Sequence, residues 1–129
     1  MMSFNAMGYE TYKKTQIQTA DQGSLILICY EGAITFLKKA KKAQQDNDEE
    51  TRTDAFTKAQ GLIWELVNGL NYDAGEIAYN LEALYNYMIR RIIDADYHRN
   101  LDAVDEVVGY LQELRESWEK IIRKTSSNT

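Results

Sequence analysis

The sequence predicts an all-α protein, an elongated antiparallel up-down four-helix bundle preceded by an N-terminal arm. Three observations predict it. Proline is absent from all 129 residues, so nothing in the chain forbids the helical hydrogen-bond ladder. Apolar residues recur at spacings of three and four through four long stretches. The breaks between those stretches are short and polar, and short links between long helices make neighbours antiparallel.

Residues 1–18 show no period and read as an arm. A first helix is expected over 21–44. Asp21 or Ser24 supplies a capping oxygen for its free N–H groups, and Lys38, Lys39, Lys41 and Lys42 crowd the end where the macrodipole favours positive charge. The stretch QQDNDEE (44–50) reads as a loop. A second helix over 51–71 carries Ala55, Ala59, Leu62, Ile63, Leu66 and Leu70 on one stripe, and NYDAG (71–75) ends it. A third over 75–95 carries Ile77, Leu81, Leu84 and Met88. DYHRN (96–100) is read as a connection, with Asn100 capping a fourth helix over 100–124. That helix places Leu101, Val104, Val108, Leu111, Trp118 and Ile122 on one face. The bundle thus occupies 19–124, and 125–129 form a polar, frayed tail.

Composition narrows the function. With 15 Lys+Arg against 20 Asp+Glu the net charge is −5, which repels duplex DNA and anionic membranes, so neither nucleic acid nor membrane insertion is expected. The longest strongly apolar run, LILICY (25–30), falls far short of the roughly 20 residues that span a bilayer. The N-terminus lacks a basic start followed by an apolar run, so a secretory signal is not expected and the expected compartment is the cytoplasm. A single Cys rules out an internal disulfide, and Cys29, inside the apolar run, reads as a buried inert thiol. A bundle di-iron centre needs a Glu-x-x-His motif on each of two helices. Here the only His is His98, three residues after Ala95. The glycines occur singly, with no phosphate-cradling loop. No nucleophile, base and oxyanion donor assemble. No catalytic residue, metal or cofactor is therefore expected.

The apolar faces are wider than one bundle needs. A bundle helix needs a stripe a little over 100° wide. At about 100° per residue, the apolar residues of the third and fourth helices each cover roughly 180°, and LILICY is apolar all round. This width means a thick core, a groove for another apolar segment, or a homodimer seam. Nine Tyr in the chain suit surfaces that are sometimes wet and sometimes buried.

Four separated strings carry a resemblance. They are the opening from Tyr12 to Ala40, with Tyr12, Ile17, Thr19, Ala20, Leu25 and the Tyr30-Glu31-Gly32-Ala33 run; KAQGLIWEL (58–66); NLEALYNYMIRRIIDAD (80–96); and VDEVVGYLQELRESW (104–118). In order and at compatible spacings, over about residues 9–122, they resemble the FliS family of flagellar export chaperones. The family usually has Pro in the turn before the first helix. This chain has Gln22, which leaves the start of that helix open.

The resemblance implies a cytoplasmic four-helix bundle without catalytic activity, a monomer or weak dimer when free. It implies a partner, the C-terminal segment of flagellin, which is disordered before assembly. The chaperone keeps that segment from polymerising early and helps deliver it to the type III export gate, with the gate protein FlhA as a second contact. The expected flagellin contacts flank the core stripe: Ile63, Trp64, Leu66, Leu70, Leu81, Tyr85, Met88 and Ile89. Each is core or groove wall, since periodicity does not separate the inner from the outer edge of a wide face. Arg90 and Arg91 are positioned to meet acidic partner side chains or solvent. Tyr12 and Ile17, in the arm, are expected to cover the apolar surface as a lid or to touch the export gate. The alternative is a structural bundle that closes a homodimer through its excess apolar surface.

Overall fold

A computed structural model describes residues 22–127, with side chains described over 23–123. The expected arm over 1–18, with Tyr12 and Ile17, and the proposed cap Asp21 lie outside the described residues. The four helices are α1 (Gln22–Gln45), α2 (Glu49–Asn68), α3 (Glu76–His98) and α4 (Leu101–Ser127), with a 3-10 turn at Tyr72–Ala74 between α2 and α3. Among the described residues there is no strand. Nor is any helix there long and apolar enough to cross a membrane.

Each helix packs on the next, and α1 also packs along α4, which closes the ring. Contacts between opposite helix ends show that neighbours run antiparallel. Lys41 near the end of α1 meets Asp105 near the start of α4 at 2.8 Å. Trp118 near the end of α4 donates from Nε1 to the Gly23 carbonyl at the start of α1, 2.8 Å away. Arg52 at the start of α2 reaches Asp96 at the end of α3. At about 1.5 Å per residue, helices of 20 to 27 residues are about 30–40 Å long.

Local chemistry sets the bounds. Asn47 takes the left-handed conformation, φ 59°, which an Asn adopts at low cost just past a helix. Asp48 then caps α2, its side chain accepting from the Thr51 N–H at 3.2 Å. The loop therefore shrinks from the expected 44–50 to 46–48. The α3 helix runs through His98 and stops at Arg99, also left-handed at φ 55°. His98 is thus the last helical residue, not part of a connection, and its Nδ1 lies 2.9 Å from an Asp94 carboxylate oxygen. Asn100 caps α4 as expected, accepting from the Ala103 N–H at 3.3 Å. Ser24 lies inside α1 and is not its cap. The α4 helix continues to Ser127, three residues past the expected 124. Gly75, just before α3, has φ 84° and ψ −140°, a backbone conformation open essentially to glycine alone.

The core runs along the bundle axis. Phe56, Leu37, Leu62, Ile63, Met88, Ile92, Leu111, Val104 and Val107 are its largest fully buried side chains. Buried alanines at Ala33 and Ala40 on α1, and at Ala55 and Ala59 on α2, fit the extensive contact between those helices. Among the described residues the one buried charge is Arg52. Its Nη1 donates to the Asp96 carboxylate at 2.6 Å and the Asp96 carbonyl at 3.1 Å. Its Nε and Nη2 reach Glu49 at 3.3 and 3.1 Å. Glu49 also accepts from Arg99 at 2.7 Å, and the two guanidinium groups hold its carboxyl down to about pKa 2. Arg91 and Tyr87 of α3 both donate to Glu106 of α4. Among the described residues, every ion pair that joins two helices lies toward the end of the bundle where the α1–α2 and α3–α4 loops sit.

Candidate partner-binding groove

The opposite end is built differently. There the start of α1, the end of α2, the turn before α3, the start of α3 and Trp118 of α4 surround a groove of about 480 Å³. Its walls are largely apolar: Leu25 and Ile26 from α1, Leu66 and Leu70 from the end of α2, Ile77 and Leu81 from α3. The lining joins residues of the buried core, Leu66, Tyr30 and Tyr85 among them, to partly buried ones packed against it, Ile26, Leu70, Leu81 and Trp118. Ile77, 61% exposed, is the most open large apolar side chain in that wall.

Polar contacts among the described residues also shape the walls. The Trp118 indole bonded to the Gly23 carbonyl ties α4 to α1. Asn71 accepts from the Asp73 N–H at 3.0 Å and shapes the turn. Tyr72 of the turn hydrogen-bonds Glu82 of α3, and its ring lies 5.1 Å from that of Tyr79.

Tyr30 of α1 and Tyr85 of α3 also line the groove. Their hydroxyls lie 2.6 Å apart, joining diagonally opposed helices. Each residue is only 2% exposed. Burial raises the pKa of both phenols, so both keep their protons at physiological pH. Cys29, buried beside them, points its thiol toward Glu65 at 3.9 Å.

The structure sorts the expected partner contacts. Leu66, Leu70, Leu81 and Tyr85 come together in the groove. Ile63, Met88 and Ile89 do not line it, and all three are buried in the bundle core. Trp64 does not line it either, but it is 46% exposed. Arg91 is engaged by Glu106 and Asp94, while Arg90 is exposed with its guanidinium 6.0 Å from the Tyr87 ring centre. Groove residues absent from the expected contacts include Leu25, Ile26, Tyr30, Ile77 and Trp118. The all-round apolar run LILICY is a signal for those on α1, since a helix apolar on every side needs neighbours beyond one core.

A volume of this size lies within the range of ligand pockets, about 300–1,000 Å³. It admits a few large side chains but not the body of a helix, which is about 10 Å across. An amphipathic helix can set its apolar anchors into such a groove while its backbone rides outside.

A family model described as "Flagellar protein FliS" matches residues 5–125. The flagellar secretion chaperone FliS of Salmonella typhimurium is 33% identical over 129 residues, covering 95% of this chain and 96% of that protein. The flagellar secretion chaperone FliS of Bacillus subtilis is 32% identical over 115 residues, covering 89% of this chain and 86% of that protein. The flagellar secretion chaperone FliS of Campylobacter jejuni is 30% identical over 118 residues. With a four-helix bundle, a match over nearly the whole chain and relatives of this similarity, the protein belongs to the FliS family of flagellar secretion chaperones.

Proposed function

We propose that the protein is a cytoplasmic, non-catalytic chaperone that binds the disordered C-terminal segment of flagellin, prevents its premature polymerisation and helps deliver it to the flagellar type III export gate, with FlhA as the gate contact. The observation that carries this reading is the apolar groove at one end of a bundle whose other end is closed by ion pairs. A segment destined to pack helix against helix exposes amphipathic faces while it waits. The groove offers Leu66, Leu70, Ile77 and Leu81 to such a face. Ordering a disordered chain costs several kcal/mol, about 2–5 or more, so the contact must extend past the groove onto the outer faces of the helices.

The test is isothermal titration of the chain with a peptide of the C-terminal segment of flagellin from the same organism, with an N-terminal flagellin peptide as control. Saturable one-to-one binding with a large negative heat-capacity change, and none to the control, is expected. Absence of heat at several temperatures, with the protein folded, would overturn the reading.

A further inference from the structure

We propose that the groove floor reads one hydrogen-bond acceptor on its partner: the Tyr30–Tyr85 hydroxyl pair donates its spare proton to a neutral side-chain oxygen, of Asn, Gln, Ser or Thr, on an apolar helical segment. The proposal rests on the flagellin-binding reading of the same groove and specifies the chemistry that the bound segment must carry.

The two phenols carry one more O–H than the bond between them uses. Each phenol has one O–H to donate. Burial keeps both protonated. Of the two O–H groups only one is used in the 2.6 Å bond between them. Among the described residues neither phenol has a further hydrogen-bond partner. The second proton therefore needs an acceptor from elsewhere, and both side chains border the groove. In the free protein, water entering from the groove can supply it. When apolar side chains fill the groove that solvent leaves, and an unpaired buried hydroxyl then weakens binding.

The partner must make good the loss in a particular way. If it binds as a helix, its backbone carbonyls are committed to its own ladder, so the acceptor is a side chain. A carboxylate would bring an unpaired charge into an apolar site. A neutral amide or hydroxyl oxygen meets the need without that cost. The pair thus adds a polar check to a surface whose other contacts, being non-directional, would accept many apolar segments.

The test uses the full chain and the C-terminal flagellin peptide, read by titration. Tyr30→Phe and Tyr85→Phe singly each leave one hydroxyl able to donate, and binding is expected to stay within about threefold of the unaltered chain. The double variant removes the donor, and binding is expected to weaken about tenfold. Its melting temperature should stay close to that of the unaltered chain, because removing both partners of a hydrogen bond leaves nothing unsatisfied. The peptide's polar residues are then replaced one at a time by apolar isosteres: Asn→Leu, Gln→Met, Ser→Ala, Thr→Val. One replacement should weaken binding to the unaltered chain about tenfold and have no effect on the double variant. A double variant that binds as tightly as the unaltered chain overturns the proposal, as does a scan in which no replacement couples to the tyrosines. If the double variant unfolds, the scan against the unaltered chain decides alone, and a scan without a tenfold loss refutes it. Failure of the unaltered chain to bind the peptide at all removes the flagellin reading itself, and this proposal with it.

Discussion

Replacing Ile77 by Ala separates binding from folding. Ile77 lines the groove and is 61% exposed in the free protein. Full burial of an Ile side chain is worth about 1.5–3 kcal/mol. Three-fifths of that remains to be gained when a partner covers it, and the Ala methyl retains part. Ile77→Ala should therefore cost about 1 kcal/mol of binding, roughly fivefold in Kd. The folded state loses only the two-fifths already buried, about 0.6–1.2 kcal/mol, and regains about 0.4 kcal/mol because Ala is the better helix former. Net destabilisation should stay below about 1 kcal/mol. Tyr85→Ala is the contrast. Tyr85 is 2% exposed and holds the Tyr30 hydroxyl, so its loss should cost about 3–5 kcal/mol of stability and makes any binding loss uninterpretable. The assay pairs urea unfolding of each variant with titration of the C-terminal flagellin peptide at the same temperature. An Ile77→Ala chain with unchanged Kd, or one destabilised by more than about 2 kcal/mol, would refute the reasoning.

Three further outcomes are expected. Gly61 sits in the interior of α2 with open space where a Cβ would go, so Gly61→Ala should stabilise the chain by about 0.5–1 kcal/mol and raise Tm by a few degrees in a thermal melt; no rise would show that the helix is not the limiting structure there. At the ion-paired end, Asp96→Ala leaves the buried Arg52 guanidinium without its 2.6 Å partner, whereas Arg52→Met leaves two carboxylates that solvent can reach. Arg52 keeps Glu49 and the Asp96 carbonyl, so urea unfolding should show a loss of about 1–2 kcal/mol for the first and less for the second, and the reverse order would contradict the packing described. The Glu49 carboxyl is held from 4.5 down to about 2 in the folded chain, so its contribution is complete above the unfolded value and fades as pH falls from about 4.5 through 2. Tm followed by circular dichroism across that window should fall less steeply in Glu49→Gln than in the unaltered chain; equal slopes would count against it.

The fold was legible because each helix carries its own period and its own stop signal. The helix bounds differ from expectation by one to three residues, for local reasons. Asp48 and Asn47 shorten the first loop, and Arg99, not Asp96, ends α3. The groove was only half legible. Ile77 and Met88 share one stripe of α3, eleven residues apart and so separated by only about 20° around the axis. Yet Ile77 is largely exposed and Met88 fully buried. Periodicity reports the angle around a helix, not the position along it. Whether a stripe residue is core or groove depends on where the other three helices close, and no local pattern records that. The Tyr30–Tyr85 bond joins residues 55 apart, on helices that are diagonal in the ring, and each alone reads as an ordinary aromatic.

The uneven placement of the ion pairs bears on how the chaperone lets go. Among the described residues, ion pairs between helices at one end raise the cost of separating them there, while apolar contact and hydrogen bonds hold the other. Local opening should therefore begin around Gly23, Leu70 and Ile77 and cost less than global unfolding. Amide exchange should show it as fast exchange in the first turn of α3 and slow exchange near Ala55 and Ile92. A client pulled from that end would part its walls without dismantling the far half, and the emptied bundle would be ready for the next one with nothing to refold.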